Sequence, residues 1–351
     1  MKDQMTPRER WLAVLRREPF DRTPLDYRAT GEVNQALVAH MGAANLHEVK
    51  ERLHIDPVLS VGPRYIGPEI PPDKDVFGVG YQMVDYGTGA YREDVYHPLA
   101  EFESVAEIER EYTWPSVDWY DFSGIPAAVT GHEDWVIHGG HYEEFATYKF
   151  LRGVQRAYLD FYERPEIIHY CMSKLTDLRY AACERTFEAI PGRVVWTWVA
   201  EDFGTQEALI LSPAMIAEFF LPHMKRMIDL AHDHGVFVFH HSDGAVRENL
   251  PQMIAAGIDV LDPVQWRCKG MEREGLVADF GDRIGFHGGM DNQFTLARGS
   301  EADVRAEVRD NIRVLGAKGG YILGPCHNIQ PITPPDLIVA MYEEAYEVGW
   351  R

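Results

Sequence analysis

The sequence has few cysteines and no long apolar run. Its 4 cysteines lie far apart in 351 residues and form no Cys-x-x-Cys pair. This spacing is typical of reduced intracellular thiols rather than of a disulfide framework. No stretch approaches the roughly 20 apolar residues that span a bilayer, and the charged first residues lack the apolar core of a secretory signal. We therefore expect a cytoplasmic protein that does not enter a membrane.

Positive charge is also scarce. The chain has 34 Lys and Arg against 55 Asp and Glu, a formal net charge of −21 at pH 7. Nucleic-acid partners require basic stripes that neutralise phosphates, and anionic lipid surfaces attract clusters of basic residues. The charge balance therefore argues against nucleic acid and membrane surfaces as partners, and favours a small-molecule substrate.

Two nucleotide-binding signatures are missing, because no Gly-x-Gly-x-x-Gly follows the first strand candidate and no P-loop occurs. Instead, short apolar segments alternate with helical ones. The strand candidates are residues 23–30, 55–62, 135–140, 194–202, 236–243, 259–264, 284–291 and 320–327. Their continuous apolar cores and their spacing are typical of parallel strands in β/α units. They predict an α/β fold, a (β/α)8 TIM barrel forming a single domain over residues 1–351, with a doubly wound sheet as the alternative.

Two segments interrupt the alternation. The first 19 residues are charged and helical in pattern, which predicts an N-terminal helical extension. Residues 63–100 are rich in Gly, Pro and Tyr and carry alternating patches, which predict a β-hairpin-like insertion too short for a core of its own.

Polar side chains follow most of the predicted strands, and in a barrel these strand ends share one rim where chemistry collects. We interpret three carboxylates as candidate catalytic acids or bases, namely Glu201, Asp202 and Asp291, and the first two are candidate ligands as well. For Asp202 and Asp291 the alternative is a turn-capping or helix-capping role. The candidate substrate contacts are His138, Trp198, His287, Gln293 and Gln330. Core packing is the alternative for Trp198.

The stretch "HHSDG" at 240–244 carries the most information. Side chains alternate along a strand, so His241 and Asp243 share one face and could supply two ligands to a divalent metal. A third ligand from Cys326 or His327 would leave an open coordination position, as in catalytic zinc sites. The alternative is a buried histidine that is hydrogen-bonded to a nearby aspartate.

Four segments resemble the uroporphyrinogen decarboxylase superfamily: "MTPRERWLAVLRREPFDRTPLDYRAT", "HHSDG" with "GIDVLDPVQ", "FHGGMDNQFTLARGS", and "GGYILGPCHNIQPITPPDLIVAMYEEAYEVG". They occur in the same order over nearly the whole length. The resemblance implies a (β/α)8 barrel, often dimeric, with its cleft at the C-terminal rim. True uroporphyrinogen decarboxylases use no cofactor and bind many carboxylates through an arginine-bearing N-terminal segment. In the matching "LDYRATGEVNQAL", Arg28 is the only basic residue, so porphyrinogen decarboxylation is not expected.

The C-terminal half is more similar to the corrinoid-linked, cobalamin-dependent methyltransferases of this superfamily. The resemblance implies a zinc ion held by a His-x-Cys pair and a later cysteine. His241 matches the histidine and Cys326 is similar in position to the last cysteine, but Asp243 replaces the middle one. A carboxylate makes a harder site than a thiolate. It suits activation of an oxygen, such as that of a methoxy ether, better than thiol alkylation.

The leading hypothesis is therefore a zinc-dependent methyltransferase. It would move a methyl group between a small methylated compound and a corrinoid (cobalamin) carried by a partner protein. The second hypothesis is a metal-independent decarboxylase or other lyase of a small carboxylic acid. The third is a non-catalytic barrel that binds a ligand, since fold alone does not prove chemistry.

Overall fold

The computed structural model describes residues 3–85, 87 and 90–351, which form alternating helices and strands. The helices are α1 Pro7–Arg16, α2 Gly31–His40, α3 Leu46–Arg52, α4 Val105–Glu111, α5 Ile125–Ala128, α6 Glu144–Arg152, α7 Val154–Glu163, α8 Pro165–Ala189, α9 Pro213–Phe219, α10 Leu221–Asp233, α11 Leu250–Ala256, α12 Arg273–Phe280, α13 Thr295–Arg298, α14 Glu301–Val314 and α15 Pro335–Val348. The strands are β1 Val58–Val61, β2 Arg64–Tyr65, β3 Gly80–Asp85, β4 Ala90–Tyr96, β5 Tyr120–Asp121, β6 Val136–Tyr142, β7 Trp196–Val199, β8 Phe237–His241, β9 Val260–Asp262, β10 Gly285–Met290 and β11 Tyr321–Pro325.

The main sheet contains seven of the predicted strands. Its order in the described residues is β1-β6-β7-β8-β9-β10-β11, and every neighbouring pair is parallel. From β6 onward, helices separate successive strands of the curled sheet. This arrangement confirms the predicted α/β barrel class, and it brings the C-terminal ends of these strands to one rim.

Residues 23–30 differ from the prediction, because they make isolated bridges rather than a strand. Leu25 bridges Leu323 and Ala29 bridges Ile329, both in parallel orientation. On the other side, the amide of Asp56, just before β1, donates to the carbonyl of Leu25 at 3.0 Å. The segment therefore lies between β11 and the approach to β1. Pro24 interrupts the ladder here, since proline has no N–H to donate.

The predicted helical extension closes the opposite end of the barrel. Helix α1 begins with a capping box between Thr6 and Glu9. Trp11 is fully buried and packs in one cluster with inward-facing strand residues such as Trp196 and Phe239. The rings of Trp11, Trp196 and Phe239 therefore fill this end of the barrel.

The predicted hairpin-like insertion is also present. Strands β3 and β4 pair antiparallel, with Asp85 opposite Ala90. The tip of the predicted hairpin, at residues 86, 88 and 89, lies outside the described residues. Among the helices that are described, none combines the length and the apolar character needed to cross a bilayer.

Candidate metal centre and rim cavity

Three side chains meet at the ends of β7 and β8. Asp202 follows β7, His241 is the last residue of β8, and Asp243 lies two residues further on. One ligand atom from each lies within 4.8 Å of the others, and no second such group of His, Cys, Asp or Glu was found in the described residues. We call these three residues the acidic triad. The pairing of His241 with Asp243 is the one that strand alternation predicts.

The imidazole of His241 is held between carboxylates. Its Nδ1 lies 3.3 Å from Oδ2 of Asp262, while its Nε2 lies 3.7 Å from Oδ1 of Asp202. Burial alone would lower the pKa of His241, but the bond to Asp262 and the nearby carboxylates outweigh burial and raise the pKa to about 9. A carboxylate behind a histidine fixes its ring and tautomer, and this arrangement is typical of metal-binding histidines.

Asp262, at the end of β9, is the hub beneath the triad. Besides His241, it accepts hydrogen bonds from Arg28 at 2.8 Å and from the indole of Trp198 at 2.9 Å. Its Oδ1 also lies 2.6 Å from Nδ1 of His287, whose Nε2 lies 3.1 Å from a carboxylate oxygen of Asp26. Despite complete burial, the charges of Arg28 and His287 hold the pKa of Asp262 well below its usual range. This ionised network supports the triad from inside the barrel.

Asp243 is oriented by Gln265, which follows β9. The amide of Gln265 donates to Oδ1 of Asp243 at 2.8 Å and accepts from the backbone N–H of Gly244 at 2.8 Å. Gly244 has φ near +90°, and a Cβ there would lie 2.5 Å from the carbonyl oxygen of Thr205. Only glycine fits this tight turn. Burial and the neighbouring Asp202 raise the pKa of Asp243, although His241 opposes the shift.

The donor set fits a divalent cation. It offers one imidazole and two carboxylates, with one ligand atom from each residue within 4.8 Å of the others. Carboxylate and imidazole ligands suit zinc and harder divalent ions better than thiophilic ones. The triad residues would supply the ligands, and Asp262 and Gln265 would hold two of them in place.

Beside the triad lies a cavity of about 810 Å³, here called the rim cavity. It is bounded by the loops after β7, β8, β9, β10 and β11, and its volume is within the usual range for small-molecule sites. Six of the residues predicted from sequence line it: Asp243, Asp291, Gln293, Cys326, His327 and Gln330. The predicted convergence of strand ends on one rim is therefore present for these side chains.

Comparison with known proteins identifies the family to which this chain belongs. The pattern of "Uroporphyrinogen decarboxylase (URO-D)" matches residues 145–348, more than half of the chain. The chain belongs to the uroporphyrinogen decarboxylase family. The curated "Uroporphyrinogen decarboxylase" of Xanthomonas campestris pv. campestris is 22% identical over 391 aligned residues, covering 99% of this chain and 100% of that one. That of Carboxydothermus hydrogenoformans is 27% identical over 259 residues, covering 73% and 65%. Among solved structures, a methyltransferase from Methanosarcina mazei has 19% identity and a TM-score of 0.67, covering 98% and 99%, which confirms the fold.

Two predicted ligands of this uroporphyrinogen decarboxylase family member lie outside the triad. The thiol of Cys326 is buried and donates to the carbonyl oxygen of Val264 at 3.2 Å, and burial raises its pKa well above the usual range. His327 is exposed, and its backbone exchanges hydrogen bonds with the side chain of Asn292. Both residues line the rim cavity, and their participation in metal binding stays a prediction.

Other predicted residues have structural partners in this fold. Glu201 is buried and accepts from the backbone N–H of Phe145 at 2.6 Å, so the structure does not bring it to the triad. Burial raises the pKa of Glu201 well above the usual range. Asp291 accepts backbone N–H bonds from residues 293–295 and pairs with Arg267 at 2.5 Å. Its position at the start of α13 matches the capping alternative, although it also borders the rim cavity.

The three predicted ring contacts lie deeper in the barrel. His138 packs on Trp196 with ring centroids 4.3 Å apart, and its Nδ1 lies 3.1 Å from Oγ of Ser60. Trp198 and His287 contact the Asp262 hub, as described above, rather than the rim cavity. A role for these three residues in substrate binding stays a prediction. The contacts that these three side chains make are with other residues of the barrel interior.

Sequence reasoning missed three supporting residues: Asp26, Gln265 and the hub role of Asp262. Asp262 was visible as the polar end of an apolar run, "DVLD", and Gln265 follows it closely in "DPVQ". Asp26 gave no comparable signal, because its partner His287 is far away in the chain. Arg28 was noted as the lone cation of its segment, but its burial against Asp26 and Asp262 follows only from the fold.

Proposed function

We propose that this member of the uroporphyrinogen decarboxylase family is a metal-dependent methyltransferase. It transfers a methyl group between a small methylated compound, best a methoxylated one, and a corrinoid carried by a partner protein. The observation that carries the proposal is the acidic triad beside the rim cavity. The methyltransferase among its structural neighbours supports this reaction class. Zinc is the ion expected from the resemblance.

In this proposal the residues of the triad bind the ion, and residues of the rim cavity contact the substrate. A divalent ion bound at the triad supplies Lewis acidity toward an ether oxygen. His241 and Asp243 are fixed for this by Asp262 and Gln265, so the donor atoms are ordered before the substrate enters. When the ether bond breaks, the oxygen that remains with the substrate must take up a proton. Of the predicted acid–base residues, Asp202 belongs to the triad and Asp291 borders the cavity.

The decarboxylase alternative has the curated relatives in its favour, since they are named uroporphyrinogen decarboxylases. The geometry weighs against a polyanionic substrate. Arg28, the only basic residue of the matching N-terminal segment, is paired with both Asp26 and Asp262. Its charge is therefore already compensated inside the barrel. Decarboxylation that persists in the presence of chelators, without a corrinoid protein, would support the alternative.

The direct test is metal content together with methyl transfer. Protein purified without chelator should hold close to one equivalent of a divalent metal. His241→Ala should lose it, while His40→Ala, on the surface of α2 and paired with Asp336, should keep it. With a reduced corrinoid protein and a methyl ether, the visible spectrum should change from Co(I) to methyl-Co(III). Less than about a tenth of an equivalent of metal in the wild type would contradict the proposal.

The cytoplasmic location and the expected homodimer remain predictions from the sequence.

A further inference from the structure

Several side-chain amides line the rim cavity. Gln206 donates to the side-chain oxygen of Gln293 at 3.1 Å, and Gln330 donates to the backbone oxygen of Asn328 at 3.1 Å. All four residues line the cavity. Each bond uses only part of the capacity of an amide, which has two N–H donors and an oxygen with two lone pairs. The wall therefore offers neutral donors and acceptors side by side.

The aromatic rings of the same wall already face cations. The guanidinium of Arg267 lies 4.3 Å from the ring centre of Trp266 and 5.4 Å from that of Phe294. Arg273 lies 4.4 Å from Trp266 as well. A quaternary ammonium ligand needs free electron-rich ring faces, and here it would meet positive charge instead. An aryl ligand likewise finds Trp266 occupied by two guanidinium groups.

The charged side chains that border the cavity do not favour the binding of an anionic ligand. Arg267 is paired with Asp291 and donates to the hydroxyl of Thr295 at 3.1 Å. Asp243 adds a carboxylate to the wall. Arg298, exposed at the rim, is the remaining cationic side chain of the lining. Of the two arginines that line the cavity, Arg267 is therefore already paired with a carboxylate, and Arg298 is exposed, where ion pairs are weak in water.

We infer that the rim cavity binds a neutral, hydroxyl-rich ligand, namely the O-methyl ether of a sugar or polyol. A hydroxyl both donates and accepts one hydrogen bond, which matches the paired donor and acceptor of an amide. The hydroxyls contact Gln206, Gln293 and Gln330, and the ether oxygen faces the triad. This assignment rests on the proposed methyltransferase function and specifies its substrate class.

Calorimetric titration of the full chain tests the inference. The probes are 3-O-methyl-D-glucose and the inositol methyl ether pinitol, against anisole, tetramethylammonium and methoxyacetate. At least one of the two sugar or polyol ethers should bind with a Kd below about 1 mM, the upper end of common Michaelis constants. It should bind at least about tenfold more tightly than each comparator. Preferential binding of methoxyacetate would instead assign the cavity to an anion held by Arg298.

Variants separate specific contacts from general effects. Gln293→Leu and Gln330→Leu should each weaken binding about fivefold, the effect of one hydrogen bond. Gln35→Leu, on the exposed side of α2, is the matched control and should bind as the wild type does. If neither ether binds more tightly than the comparators, or if the cavity variants bind normally, the inference is overturned.

Methyl transfer to the corrinoid is measured separately, so the two failures can be told apart. Ether binding without methyl transfer would overturn the proposed function and leave the binding class standing. Methyl transfer from another donor, without ether binding, would overturn only the substrate class.

Discussion

Replacement of Asp262 by Asn tests whether the buried hub supports the metal centre. The carboxylate contacts four groups, which are Arg28, Trp198, His241 and His287. All four face it through nitrogen, and an ionised carboxylate can accept from each because it has about four lone-pair positions. Asparagine has nearly the same size but accepts only through its oxygen. Whichever way the amide is turned, its NH2 group would face one fixed donor, Arg28 or Trp198, and one histidine nitrogen.

The expected loss of stability is large. Asp262 is 0% exposed, and removing one member of a buried ion pair costs about 3–5 kcal/mol, because the remaining charge stays buried without its partner. Since whole domains are stable by only about 5–15 kcal/mol, this is a substantial share of the folding free energy. The ring of His241 would also lose its carboxylate partner. Loss of such a supporting partner commonly lowers metal affinity about 10–100-fold.

Urea denaturation and metal titration of Asp262→Asn measure the two effects. The control is Asp177→Asn, which removes an exposed carboxylate paired with Arg226 on the surface of the helices. That change should cost less than about 1 kcal/mol. If Asp262→Asn unfolds within about 1 kcal/mol of the wild type and binds metal equally well, the hub does not support the site and the reasoning is refuted.

Three further changes test separate regions. Burial lowers the pKa of His138 from 6.5 to about 3, so the unfolded chain binds this proton first as the pH falls. Stability should drop by up to about 1.4 kcal/mol per unit across that window, and His138→Phe should flatten the slope in urea denaturation. Gly244→Ala should cost about 1–3 kcal/mol in the same assay, because its φ is near +90°. Cys326→Ser should leave metal content unchanged, because Sγ is engaged with Val264; a loss of metal would make Cys326 a ligand.

The barrel was predictable because its signal is local and repeated. Each of the seven observed main-sheet strands overlaps one of the short strand candidates, and helical patterns separate most of them at β/α spacing. The first predicted segment was harder to assign, because strand pairing depends on contacts over more than 290 positions, as between Leu25 and Leu323. Its apolar character predicted burial correctly. The sparse bridging of this segment became visible only in the fold.

The site was predictable in part for a related reason. Alternation along one strand is a local rule, and it placed His241 and Asp243 on a common face. The third member of the triad depends on how the loop after β7 meets the turn after β8. That approach requires Gly204, where a Cβ would lie 2.5 Å from the carbonyl oxygen of Asp243. Contacts of this kind between loops have no periodic signature, so the sequence makes Asp202 a candidate acid, base or ligand without showing that it joins His241 and Asp243.

The acidic triad and the rim cavity are consistent with the same proposed substrate class. The triad presents nitrogen and oxygen donors, whereas the thiol of Cys326 is engaged with a backbone carbonyl and has a pKa raised well above its usual range. The remainder of the cavity offers amide groups suited to hydroxyls. For the proposed methyltransferase, nitrogen and oxygen donors at the triad favour an ether oxygen over a thiol sulfur as the atom that carries the methyl group.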